Sequence, residues 1–187
     1  MVAPRILAFA GSLRKDSYNK KLVQIAVAGA RRAGAAVTCI DLKDYPLPIY
    51  DGDIEAASGI PENGQKLKKL FVEHDGLLLS CPEYNSSITA VLKNTIDWVS
   101  RPDLSCFTGK AAVLMSASIG GLGGLRGLVH VRSILGNINV IVLPDQLAIA
   151  RAGEAFASDG SLKDANQKAG IEGLGKTLAE FLGKLKS

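Results

Sequence analysis

Two stretches of this chain carry residue types that hold phosphate. Residues 170–177, G-I-E-G-L-G-K-T, match the pattern G-x-x-x-x-G-K-[ST], in which backbone N–H groups and a lysine cradle a nucleoside triphosphate. Residues 11–19, G-S-L-R-K-D-S-Y-N, set two hydroxyls (Ser12, Ser17), a guanidinium (Arg14) and an amide (Asn19) within eight positions. Arg14 can donate two parallel hydrogen bonds to phosphate oxygens, and a helix opening there adds the attraction of free N–H groups. Two further stretches suit a flat, polar-edged ring. Residues 81–87, C-P-E-Y-N-S-S, place an aromatic beside an amide after a stiffening proline. Residues 116–124, S-A-S-I-G-G-L-G-G, hold four glycines that let backbone approach a ligand closely. Each loop also has a plain reading. Asp16 or Ser17 caps a helix in an ordinary turn, Asn85 or Ser86 caps the next helix, and Gly121, Gly124 and Gly127 recur every third residue as close helix packing would require.

The surrounding pattern says where these loops stand. Short β-branched or apolar runs at 5–10, 36–42, 76–81, 111–117 and 139–144 read as strands, the last stopped by Pro144. Longer amphipathic runs at 19–34, 62–74, 87–101 and 123–137, and a glycine-weakened run at the end of the chain, read as helices. Residues 44–53, broken by Pro46 and Pro48, read as a loop. Five strands alternating with five helices mean an open parallel α/β sheet, whose ligands bind at the carboxyl ends of the strands. The loops at 11–19, 81–87 and 116–124 each follow a strand, so all three fall on one edge of one sheet.

The triphosphate pattern at 170–177 lacks that setting. A polar helical stretch precedes it where a strand is required, and no later apolar strand ends in an Asp for magnesium. A C-terminal helix with Leu174, Leu178, Phe181 and Leu182 toward the core is expected there. The chain has 187 residues, enough for one domain over 1–187 with a full core, and it is 47% hydrophobic with a net charge of +4. That mild charge makes anionic small molecules reasonable partners and gives no reason to invoke nucleic acid. No apolar run is long enough for a membrane span, and the N-terminal run reads as a strand, not a signal peptide. Three separated cysteines (Cys39, Cys81, Cys106) fit a reduced, cytoplasmic compartment. His74 and His130 stand alone, so no metal is expected.

With these stretches in view, the chain resembles a known family. GSLRKDSYNKKL (11–22), PEYNSSITAVLKNTIDWVSR (82–101) and SASIGGLGGLR (116–126) look like the NAD(P)H-dependent FMN reductases, a flavodoxin-like group that includes quinone, azo-dye and chromate reductases. The resemblance covers nearly the whole chain. It implies strand order 2-1-3-4-5, bound FMN, NADPH or NADH as co-substrate, and a homodimer or homotetramer. Carried over by position, it implies that Ser12, Arg14, Ser17 and Asn19 hold the FMN phosphate. Pro82, Glu83, Tyr84 and Asn85 then line the isoalloxazine, largely through backbone groups, with Ser118 and Gly120 flanking it. Asp16 is expected to point away from the phosphate or to cap the helix.

The cofactor carries the chemistry in such a site, and the protein positions it. The resemblance implies NAD(P)H and a small-molecule acceptor (a quinone, an azo compound, free flavin, a ferric complex or chromate) using one site in turn, with ping-pong kinetics and no catalytic side chain. Arg101 is a candidate for steering an anionic acceptor or cofactor phosphate, against a solvated arginine at a helix end. Cys81 is read as a buried, inert thiol, and Trp98 as a core or subunit contact. Two other functions remain open on this fold: a flavodoxin-type electron carrier that does not oxidise NAD(P)H, which the positive charge disfavours, and a flavin-free regulatory module.

Overall fold

The structure, a computed structural model, describes residues 2–186. Five strands form the main sheet: β1 (Arg5–Ala10), β2 (Ala36–Cys39), β3 (Gly76–Ser80), β6 (Ala111–Ala117) and β7 (Ile141–Ile149). All neighbours are parallel and the order is β2-β1-β3-β6-β7, the flavodoxin-like order 2-1-3-4-5 that the resemblance implied. The winding direction reverses between β1 and β3, so the loops that leave those strands flank one crevice, with the loop after β6 beside them.

The strands are near-continuous apolar runs because both faces are covered. Ile6, Ala8, Leu78, Val113 and Met115 face α1 (Tyr18–Arg32) and α7 (Ala165–Leu185). Leu7, Phe9, Leu77, Leu79 and Leu114 face the other layer, α3 (Glu62–Glu73), α4 (Ala90–Val99) and α5 (Leu125–Asn137). Successive residues of a strand point to opposite faces, and here each face is a core.

Several elements differ from the sequence reading. β2 ends at Cys39, because the Asp41 carboxylate accepts from the Lys43 N–H at 3.0 Å and turns 42–44 into a single 3-10 turn. Helix α2 (Gly52–Ser58) begins inside the expected loop, capped by Asp51, whose carboxylate accepts from the Asp53 N–H at 2.8 Å; it buries none of its residues and so leaves no apolar period to read. α4 starts three residues later than expected, since β4 (Glu83–Tyr84) and β5 (Ser87–Ile88) form a small antiparallel hairpin ahead of it. Asn85 and Ser86 are its two turn residues, with φ +50° and +66°, as a two-residue type I′ turn needs. β7 does not stop at Pro144. Val142 pairs with Ala112 and Gln146 with Leu114, so the proline sits in a bulge on an edge strand, where its missing N–H breaks no ladder bond. A short helix α6 (Ala152–Ala155) follows.

The triphosphate-like motif lies in the middle of α7, an unbroken helix. Its glycines have another use. A methyl on Gly175 would lie 2.0 Å from the Ala26 carbonyl oxygen of α1, and one on Gly29 would lie 2.0 Å from the Glu172 carbonyl oxygen of α7. The two helices touch backbone to backbone, which only glycine permits. Lys176 points outward to Glu180 at 3.6 Å. Gly175→Ala is therefore expected to lower stability by about 2–3 kcal/mol, read as a fall in the urea midpoint. Lys176→Ala changes stability by less than about 0.5 kcal/mol and leaves any nucleotide binding untouched. A Gly175→Ala protein as stable as the parent would contradict the close approach.

Candidate functional site

A cavity of about 230 Å³ opens at the carboxyl edge of the sheet. Its walls come from the three loops expected there. Ser12, Arg14 and Ser17 line it, as do Pro82, Glu83 and Tyr84, and Ser118. It is smaller than the ~300–1,000 Å³ that encloses a drug-sized ligand, so it grips part of a ligand and leaves the rest against an open face.

One wall gathers groups that could receive an anion. Ser17 takes the N-cap position of α1, yet its hydroxyl makes no capping bond, and the first turn carries no acid. The helix therefore opens into the cavity with its own N–H groups free to receive a negative charge. Ser12 and Ser17 are buried beside it. The Ser12 hydroxyl accepts from the Arg14 N–H at 3.3 Å, which folds the loop so that Arg14 borders the cavity. Among the described residues the Arg14 guanidinium has no acidic partner. Asp16 is exposed and does not line the cavity.

Asn19 borders the same cavity, but its amide is engaged elsewhere. Its Nδ2 donates to the Ala117 carbonyl at 2.8 Å. Its Oδ1 accepts from the Ala117 N–H at 3.0 Å and from the Ser80 hydroxyl at 2.9 Å. The side chain pairs with the end of β6 as a strand would, and so locks the start of α1 to β3 and β6.

The opposite wall is the β4–β5 hairpin, fixed to α5 at both strands. The Glu83 carboxylate accepts from Arg126 Nε at 2.9 Å and Nη2 at 2.6 Å, and from the Gly127 N–H at 3.1 Å. On the other strand, Ser87 Oγ lies 2.8 Å from His130 Nδ1. Gly124 and Gly127 allow close packing here: a Cβ at Gly124 would lie 3.0 Å from the Ser116 side chain, and one at Gly127 would lie 3.3 Å from the Ser87 carbonyl oxygen of the hairpin. The three-residue glycine spacing thus serves packing at two of its positions, while Gly121 faces open space. Burial by itself raises the Glu83 pKa, but the Arg126 hydrogen bonds, aided by the Gly127 N–H, outweigh it and hold the carboxyl below its ordinary range. Thr89 ties the hairpin's far end to the first loop: its hydroxyl donates to the Gly11 carbonyl at 2.7 Å and accepts from the Leu92 N–H at 3.3 Å, capping α4.

The remaining expected residues fall differently. Asn85 and Gly120 do not line the cavity; Asn85 turns the hairpin and Gly120 braces its loop, its N–H donating to Ser118 Oγ at 3.2 Å. Arg101 does not reach the cavity either. Its Nε donates to the Glu55 carboxylate at 2.9 Å and its guanidinium lies 5.4 Å over the Tyr50 ring, so it anchors α2 to the end of α4. Trp98 is buried, donating to the Pro48 carbonyl at 2.8 Å. Burial pushes the Cys81 thiol up to about 12, which leaves it protonated and inert. His74 is buried between the Leu70 carbonyl and the Thr38 hydroxyl. Tyr18 and Ile119 line the cavity and were not singled out from the sequence. Both stand inside the loops quoted above, and an isolated Ile amid Ser and Gly is the signal that marked a rim.

A doubly wound sheet whose switch-point crevice joins an uncapped helix start, a free arginine and an aromatic lip defines a mononucleotide-binding α/β protein. The comparisons narrow this. The chain belongs to the NADPH-dependent FMN reductase family, whose profile matches residues 4–154. It is 36% identical over 161 residues to an NAD(P)H-dependent FMN reductase of Pseudomonas aeruginosa, covering 86% of this chain and 85% of that one. It is 35% identical to an NAD(P)H:quinone oxidoreductase of Solanum tuberosum, covering 97% of this chain and 94% of that one. Among solved structures it matches FerB, a flavoenzyme NAD(P)H:acceptor oxidoreductase from Paracoccus denitrificans, with TM-score 0.81, 29% identity, and coverage of 97% and 98%. As a member of this family it is an FMN-dependent NAD(P)H oxidoreductase.

The Glu83 attachment makes a pH prediction. A carboxylate whose pKa is depressed in the folded state stabilises above its unfolded value and loses that contribution as pH falls through the folded one. Stability is therefore expected to fall as pH drops below the ordinary Glu value of 4.5. Glu83→Gln should cost about 1–2 kcal/mol at neutral pH and flatten the acid limb of the unfolding midpoint against pH. An acid limb unchanged in Glu83→Gln would mean that the pair contributes nothing.

Proposed function

We propose that this protein transfers electrons from NAD(P)H to quinones and comparable small acceptors, with FMN held at the carboxyl edge of the sheet. The donor set fits that group. Ser12, Arg14, Ser17 and the first-turn N–H groups of α1 would hold the phosphate, and Pro82, Glu83, Tyr84 and Asn85 would border the ring, with Ser118 and Gly120 offering backbone at its edge. The observation that carries the reading is the helix start without a side-chain cap, set beside an arginine without an acidic partner in the same cavity as Tyr84. When bound, FMN supplies the two-electron chemistry that links the nicotinamide to the acceptor.

The chain's own residues bind and orient. Asn19 positions the phosphate loop without touching the ligand, and Glu83 positions the hairpin. Neither Cys81, protonated and buried, nor Glu83, paired with Arg126, is available as a proton donor or nucleophile. The small cavity leaves an open face that the reduced nicotinamide and the acceptor occupy in turn, which gives ping-pong kinetics. The relatives named as FMN and quinone reductases support this acceptor class. Azo compounds, ferric complexes and chromate are further acceptors for an open flavin face. A homodimer or homotetramer is proposed, supported by exposed Leu122, Leu125 and Val129 around the start of α5. The free cysteines support a cytoplasmic setting; among the described residues no helix is long and apolar enough to cross a membrane.

The test is a visible spectrum in one cuvette. The flavin band is expected to bleach with NADPH or NADH and to return on adding a quinone, with parallel double-reciprocal plots at steady state. A band that stays oxidised with both nucleotides would replace this reading with an electron carrier, and protein that takes up no FMN would end both. Arg14→Ala should weaken FMN binding by about ten- to a hundredfold, measured by flavin fluorescence, while the far-UV spectrum stays unchanged.

A further inference from the structure

We propose that Arg151 recognises the 2′-phosphate of NADPH and so sets the preference between NADPH and NADH; this rests on the reductase reading above. Arg151 stands two residues past the end of β7, and its backbone is stapled to the loop that forms one cavity wall. The Arg151 N–H donates to the Gly120 carbonyl at 3.2 Å and the Ala152 N–H donates to the Ser118 carbonyl at 3.0 Å. Two residues on, a methyl placed at Gly153 would lie 3.6 Å from the Tyr18 hydroxyl, and Tyr18 lines the wall across from that loop. Arg151 therefore stands on the bridge between two walls of the cavity.

Its backbone is in the left-handed region, φ +46° and ψ +48°, where a long side chain is disfavoured and Gly or Asn would be at ease. An arginine is kept there all the same, exposed to solvent and with no acidic partner among the described residues. The other cations near the cavity are committed. Arg14 faces the proposed FMN phosphate, Arg126 is paired with Glu83, and Lys21 lies 5.6 Å over the Tyr18 ring. Lys15 is exposed beside Arg14, but no bond of its own ties it to the cavity wall. Arg151 is thus an uncommitted cation whose backbone is bonded to a loop of the cavity wall. Its planar fork donates two parallel hydrogen bonds to a phosphate dianion. NADPH and NADH differ in one such phosphate and nothing else.

The experiment titrates FMN-loaded protein with NADP⁺ and with NAD⁺ by calorimetry, and measures kcat/KM for NADPH and NADH with a quinone. Arg151→Gly suits the left-handed backbone and should fold with an unchanged midpoint. Its NADP⁺ affinity is expected to fall by about ten- to a hundredfold, with NAD⁺ affinity and FMN retention unchanged. Arg151→Lys should keep part of the preference. Three results overturn the proposal: a parent protein that binds both nucleotides alike, an Arg151→Gly variant that weakens both equally, or the loss of preference in Lys15→Ala instead. Absence of flavin-dependent turnover would defeat the reductase reading, and the binding ratio would still decide the role of Arg151.

Discussion

The carboxyl edge of the sheet is organised around one buried amide. A parallel strand that stops pairing leaves N–H and C=O groups without partners, and buried groups of that kind each cost about 1–3 kcal/mol. At the end of β6 the Asn19 side chain takes both, bonding the N–H and the C=O of Ala117, and the Ser80 hydroxyl of β3 completes its oxygen. A helix start, two strand ends and the cavity floor are thereby fixed by one residue. Neighbouring hydroxyls repeat the device: Thr89 takes the Gly11 carbonyl and Ser116 takes the Gly123 carbonyl at 2.7 Å. The loops that border the ligand are irregular in path but fully bonded at their roots.

Rigidity at that edge has a counterpart at the far end of α1. There the helix meets α7 backbone to backbone at Gly29 and Gly175, an approach that sets the helix axis as well as its position. With Asn19 holding the first turn and the glycine contact holding the later ones, α1 has little freedom to tilt. Its opening turn then presents N–H groups at fixed places, which is what a preorganised anion site needs. Leaving Ser17 without a capping bond costs about 1 kcal/mol of helix stability, and in the proposed function the phosphate of FMN would take the cap's place.

Much of this was legible in the sequence where the signal is local. β1, β3 and β6 are continuous apolar runs, and the loops after them are rich in hydroxyls, amide and glycine, so both the sheet and the edge where chemistry sits could be read directly. The readings that failed depend on distant partners. Pro144 looks like a strand stop because nothing nearby reveals that it lies at an edge, opposite a bulge. Asn19 borders the expected cavity, and only its bonds to Ala117, 98 residues away, could not be read. Arg101 looks free until the chain brings Glu55 to it. The glycines of 170–177 read as part of a C-terminal helix, as found, because no strand precedes them; only the close approach of α1 that uses them stays hidden. The Asn85–Ser86 turn lies between: Asn tolerates a positive φ, but the usual Asn-Gly hairpin signal is missing.

What the cavity lacks also shapes its function. No lining residue is a histidine, lysine or cysteine, and its one carboxylate is held by Arg126. A protein whose reactive group is a cofactor needs no titrating side chain at that point, only a fixed grip and a face left open. Selectivity would then move to the rim, where Tyr84 and Ile119 line the cavity as exposed apolar groups and Leu13, between Ser12 and Arg14 in sequence, is also exposed. Isolated exposed apolar side chains are ordinary on a protein surface, but such a group at one opening favours flat apolar partners over hydrated ions. The grip on one end of the ligand is electrostatic and the rim is apolar. In the proposed function, a planar and weakly charged acceptor would satisfy the rim without competing for the anion site, and this separation would let two unlike substrates take turns at one face.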